Sequence, residues 1–341
     1  MAANMLPYSR AEAKEWARAT FRGACNVIIP SYTSDLRSLN EAAIRHDVRR
    51  NIELGFWGAL LVSEAGTTRQ EMQRFAEIAV DEAGGNHHFL LQGVFDTAAE
   101  IIAAARGAAA IGVDAMLLGH PNSFYPTSVA ELEEYTAHIC SSTDLAVVLF
   151  VVEHSNLRRL DVRGFPIGAL ERMAELETVV AVKYEVGRHQ PAGTYEVFRR
   201  LGEAAVLVSD PMEFHAPMWV ETFGMQWIGT SNYEYFGGYV PQLMRLLRDG
   251  DFGEAMERYW SIQPARRARA ATMQTGGANF VHRYLWKFQA WLNGYNGGPL
   301  RQPAMKLSDQ LMRTSVDGLR QAGIAPGDEP FELFFEGRNP A

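Results

Sequence analysis

Lys183 closes an apolar run in the stretch VVAVKYEVG at 179–187. Lysine is scarce here: of 32 Lys and Arg residues, only Lys14, Lys183, Lys287 and Lys306 are lysine. Arginine stays protonated and cannot attack a carbonyl, whereas a lysine withdrawn from water loses its charge readily and can. The residue therefore points either to imine chemistry on a carbonyl substrate or to a strand end whose side chain reaches out to solvent.

The elements around it bear on that choice. Short apolar runs recur at 24–30, 57–62, 88–94, 114–119, 145–152, 179–184, 205–210 and 225–231, and stretches with helical spacing such as RQEMQRFAEIAVDEA and AAEIIAAARGAAAIG separate them. Near-continuous apolar strands alternating with helices predict a parallel sheet covered on both faces, and eight such units predict a (β/α)8 TIM barrel over residues 24–250. Residues 1–23 read as a helical lead-in and residues 251–325 as a C-terminal helical extension. The tail, 326–341, carries Phe331, Phe334 and Phe335 among turn formers and is expected to dock on a neighbour.

Such barrels carry their chemistry at the C-terminal ends of the strands. Lys183 stands at the end of the sixth, where desolvation would lower its pKa and leave free amine. The other strand ends supply Ser31 and Tyr32, Ser63 and Glu64, His120, Glu153 and His154, Asp210, and Thr230, Ser231 and Asn232. His120, Glu153, His154 and Asp210 are also ligand types for a divalent metal, but no H-x-H or H-E-x-x-H spacing supports a metal site. Glu64 reads either as an acid/base group or as a cap for the helix beginning near GTTRQE. Phe124, Tyr125, Trp227, Tyr233, Tyr235 and Phe236 fall in strand-end loops and would suit an apolar pocket that accepts aromatic groups.

A formal charge of -8 argues against nucleic acid or an anionic membrane as partner. No dense Lys/Arg cluster occurs; RRARA at 266–270 is short and reads as a solvated helix face. No segment approaches the roughly 20 apolar residues of a membrane span, and the N-terminal stretch is charged where a secretory signal would be apolar. Cys25 and Cys140 lie in unrelated segments, so free thiols and a cytoplasmic protein are expected.

Four stretches in order resemble the dihydrodipicolinate synthase and N-acetylneuraminate lyase superfamily of class I aldolases. FRGACNVIIPSYTSD (21–35) is similar to its opening strand, IELGFWGALLVSEAG (52–66) to its second strand, AVKYEVG (181–187) to its Schiff-base lysine strand, and GYNGGPLRQPAMKLS (294–308) to its G-x-x-R-x-P signature. Within that superfamily, GFPIGALERMAELETVVAVKYEVG (164–187) and LLGHPNSFYPT (117–127) resemble the aromatic hydratase-aldolases, which split benzylidenepyruvate-type compounds into an aromatic aldehyde and pyruvate. The resemblance implies that Lys183 forms the pyruvate imine and that the chain works as a homo-oligomer, a dimer or tetramer. No organic cofactor is implied, because the imine itself is the electron sink.

Two departures stand out. The family ends its fifth strand with a proton-shuttling tyrosine, where LFVVEHSN places Phe150, and Leu61 and Val62 replace the two threonines of the second-strand G-T-T-G-E. A phenyl ring transfers no proton. The first expectation is a Schiff-base lyase or hydratase-aldolase joining or cleaving a 2-oxo acid and an aldehyde, with Tyr32, Ser63, Glu64, His120, Glu153 or His154 moving protons. Phe150, His120, Tyr125, Asp210, Thr230, Ser231 and Asn232 are the candidates for contacting substrate. An imine-forming dehydratase or condensing synthase, and a non-catalytic descendant that binds an oxo acid, remain as alternatives. Tyr184 alternates with Lys183 and should face the helices.

Overall fold

The computed structural model describes residues 6–186, 191–202, 206–275, 282–301 and 306–341. Gly187 of the lysine-strand stretch and Pro303 of the C-terminal signature lie outside them. Eight strands alternate with helices: β1 (Gly23–Ile28), β2 (Gly58–Leu61), β3 (His88–Gly93), β4 (Ala115–Leu118), β5 (Ala146–Val151), β6 (Val179–Tyr184), β7 (Leu207–Ser209) and β8 (Trp227–Gly229). They form one sheet in the order β7-β6-β5-β4-β3-β2-β1-β8. The pairings of β1 with β8, β3 with β4, β4 with β5, β5 with β6 and β6 with β7 are parallel. This is a (β/α)8 barrel with a C-terminal helical extension.

The apolar runs become strands because both of their faces are covered. Every residue of β5 and of β6 is buried, and each Val or Leu so enclosed contributes about 1.5–3 kcal/mol. The helices start at side-chain caps that the sequence spells out. Thr97 accepts the Glu100 amide and Ser128 the Glu131 amide, while Thr68 and Glu71 form a reciprocal capping box.

The chain comprises two compact units, Met1–Cys25 with His88–Thr230, and Asn26–His87 with Ser231–Ala341. In the first, the helix Ala13–Thr20 and the residues before it serve the starts of β4 and β5. The Tyr8 hydroxyl donates to the Asp114 carbonyl at 2.5 Å and accepts the Ala146 amide at 2.8 Å. In the second, the helices Gln263–Thr275 and Asp309–Gln321 pack closely at Gly318, where any Cβ would collide with the Ala268 methyl.

The tail packs within this second unit. Phe334 is fully buried against Phe288, Trp291 and Tyr284, its carbonyl accepts the Gly298 amide, and Arg338 donates to the Trp291 carbonyl. The expected docking on a neighbour thus gives way, for Phe334, to docking on the chain's own helix Arg283–Trp291. Phe335 remains exposed.

Candidate active site

Lys183 is the penultimate residue of β6, and its side chain is only 6% exposed. Its cross-strand partners are Phe150 on β5 and Ser209 on β7. Strand neighbours in register share a face, and the contacts follow: Lys183 Nζ lies 4.2 Å from the centroid of the Phe150 ring. Gly119, just past β4, makes room for that ring, since a Cβ there would come within 3.3 Å of Phe150 Cδ1. On the other side, the Ser209 hydroxyl accepts the Gly229 amide at 3.1 Å. Cys25 is buried close enough for the Lys183 charge to act on its thiol, which burial nonetheless pushes well up. Tyr184 turns the other way, toward the helix Pro191–Gly202: a Cβ on Gly193 would lie 3.6 Å from its hydroxyl.

Beside the amine lies a carboxyl group that sequence reading passed over. Glu185 Oε2 is 3.1 Å from Lys183 Nζ. The signal was present in the alternation, because residues two apart on a strand face the same way. The Glu185 amide still donates to the Val151 carbonyl at 2.7 Å, which carries the strand pairing past the end of β6. An amine so placed has a carboxylate within reach that could take its proton.

The other strand-end candidates of the first unit are placed as follows. His120 packs on Phe124, Tyr135 and Phe165 and meets the Thr136 hydroxyl at 3.3 Å. Burial, helped by His154, pushes its pKa down to about 3, so the ring is neutral near pH 7. His154 is buried and builds the loop: its Nδ1 accepts the Asn156 amide and its Nε2 meets the Pro121 carbonyl. Glu153 is exposed and pairs with Arg158. Tyr125 is exposed beneath the Arg159 guanidinium. Asp210 accepts three bonds, from the Met212 amide, His215 and Trp219, and so fixes the turn after β7. Thr230 is buried, and its hydroxyl has no hydrogen-bond partner among the described residues. Among those residues no three His, Cys, Asp or Glu side chains gather to hold a metal ion.

The second unit holds the remaining candidates in a network of its own. Tyr32 is buried, with its hydroxyl bonded to the Ala65 carbonyl and Thr67 and its ring under the Arg301 guanidinium. Ser63 is buried two residues past β2, and the buried Ser31 hydroxyl has no partner among the described residues. Glu64 is not the helix cap, a role taken by Thr68; it pairs with buried Arg283 at 2.8 Å. Arg269 donates to Ser231 and Asn232, and Asn232 donates in turn to Gln289. RRARA is therefore not wholly a solvated face. Its Arg266 and Arg269, three apart on the helix, turn inward, Arg266 lying over the Tyr259 ring, while Arg267 stays exposed. Glu234, also missed, is buried in the YEYF turn, and burial raises its pKa to about 8.

Residues 20–321 match the family model described as the dihydrodipicolinate synthetase family. The chain belongs to that family. Its members are lyases or synthases of the class I aldolase type. A 4-hydroxy-tetrahydrodipicolinate synthase of Methylobacterium radiotolerans is 21% identical over 318 residues, covering 91% of this chain and 98% of the relative. Among solved structures, a dihydrodipicolinate synthase from Oceanobacillus iheyensis superposes with a TM-score of 0.75 at 16% identity, over 91% of this chain and 99% of that one. An N-acetylneuraminate lyase from Fusobacterium nucleatum does so with a TM-score of 0.72 at 17% identity, over 89% and 99%. These two likenesses speak for the fold. Phe150, Leu61 and Val62, the three departures expected from the resemblance, are all buried.

Proposed function

We propose that the protein forms an imine between Lys183 and a 2-oxo acid and uses it to make or break the carbon–carbon bond to an aldehyde, in the manner of the aromatic hydratase-aldolases. The observation that carries this reading is the placement of Lys183: a buried amine on a barrel strand end, against the Phe150 ring and beside the Glu185 carboxylate. Neutral amine attacks the ketone and loss of water gives a protonated imine; as a base takes the proton of the neighbouring hydroxyl, the imine accepts the electrons of the breaking carbon–carbon bond, releasing the aldehyde and leaving an enamine of pyruvate. Thr230, a buried hydroxyl one residue past β8 with no partner among the described residues, is a donor for the oxo acid's carboxylate. Phe150 adds an apolar wall suited to an aromatic aldehyde. We further propose a homo-oligomer, supported by the exposed Trp260, Leu333 and Phe335.

The names of the relatives favour a second reading, a condensing synthase that forms 4-hydroxy-tetrahydrodipicolinate. Product analysis separates the two. The hydratase-aldolase reading expects benzylidenepyruvate-type substrates to yield aromatic aldehyde and pyruvate with the wild type and not with Lys183→Ala. Formation of 4-hydroxy-tetrahydrodipicolinate, with no cleavage of such substrates, would replace it with the second.

A further inference from the structure

We infer that Glu185 is the proton carrier of the imine step, beside a phenyl ring at position 150 that can carry none. The inference rests on the imine reading above. Three observations meet at the Lys183 amine. The carboxylate lies 3.1 Å from Nζ, inside hydrogen-bond range. Both side chains are largely withdrawn from water, at 6% and 13% exposure, so solvent is a poor competitor for the proton. The Phe150 ring covers Nζ from another direction at 4.2 Å and offers no acceptor that could take it. Backbone pairing from the Glu185 amide to the Val151 carbonyl holds the carboxylate's strand in place.

The chemistry balances without any added reagent. The Lys183 ammonium gives one proton to the Glu185 carboxylate and becomes a neutral amine with a free lone pair. The amine forms a bond to the ketone carbon, and a proton passes from nitrogen to the former ketone oxygen to give a carbinolamine. The Glu185 carboxyl then returns its proton to the departing hydroxyl, the carbon–oxygen bond breaks, and water leaves. What remains is a protonated imine on Lys183 and the Glu185 carboxylate in its starting form. Total charge is unchanged, and a single group serves first as base and then as acid, a service worth typically about 10²- to 10⁴-fold in rate.

The rival account is an ion pair that only holds the strand end in shape. Timed borohydride trapping with pyruvate separates them, with intact mass as the readout and a thermal melt of each variant as the folding control. Glu185→Gln is expected to melt near the wild type and form the adduct about 10²-fold or more slowly. For Glu185→Ala, added formate is expected to restore part of the lost rate, because a small carboxylate can occupy the space vacated. Glu185→Gln trapping as fast as the wild type would overturn the assignment while leaving the imine reading intact. If Glu185→Gln does not fold, Glu185→Asp decides: its carboxylate is withdrawn by one methylene, so slower trapping supports the role and an unchanged rate overturns it. Failure of the wild type to form any adduct with pyruvate or larger oxo acids would remove the imine reading, and this one with it.

Discussion

Two buried lysines, not one, could attack a carbonyl. Lys287 is as enclosed as Lys183, its Nζ donates to the Pro30 carbonyl at 3.0 Å, and burial, opposed by Asp47, pushes its pKa down to about 8. Scarcity of lysine in the sequence pointed to both equally; position at a strand end singled out Lys183. Glu234 yields a prediction at this scale. Its pKa is raised on folding, so the folded chain holds this proton at pH values where the unfolded chain has released it. Its contribution to stability is whole below the ordinary carboxylate range and is lost as pH rises through about 8. Glu234→Gln, which carries no charge at any pH, should therefore gain stability relative to wild type between about pH 5 and about pH 9. Urea denaturation of both proteins at the two pH values measures it; a difference independent of pH would contradict the assigned shift.

The strands and helices were legible because they obey short-range rules. All eight apolar runs became strands, and the Thr68, Thr97 and Ser128 caps start helices where the pattern changes. What could not be read was which way a side chain turns once its element is packed. Arg269 looks like a surface residue until Ser231 and Asn232 are seen to receive it, and Glu64 looks like a cap until Arg283 is found across 219 positions of chain. Glu185 needed only the two-residue period of a strand, but the apolar run ends at Lys183 and the period was not followed past it. Gly318 tests the packing of one such pair. A methyl there should gain about 1 kcal/mol of helix propensity and lose about 1–3 kcal/mol to the clash with Ala268. Gly318→Ala is thus expected to lower stability in a denaturant titration, and a stabilised variant would show that the two helices can separate at no cost.

For the molecule as a whole, length and alternation sufficed for the barrel, and the resemblance of four short stretches sufficed for the family, whose model spans residues 20–321. Sequence pattern did not decide which surface the tail docks on, because three phenylalanines among turn formers satisfy a neighbour's surface as well as the chain's own. Burial of Phe334 beside Trp291 predicts that Phe334→Ala costs about 3–5 kcal/mol of stability. If the tail's role is structural, imine trapping by the folded variant should keep the wild-type rate. No helix of the described residues is long and apolar enough to cross a membrane, and Cys25 and Cys140, both buried, form no disulfide.

The central claim is that Lys183 carries the reaction. Its most direct test is borohydride reduction of the wild type in the presence of pyruvate, followed by digestion and mass mapping of the peptides. The account predicts one pyruvate-sized adduct, on the peptide containing Lys183, and none in Lys183→Ala. An adduct on the Lys287 peptide instead, or no adduct with any 2-oxo acid tried, would contradict it.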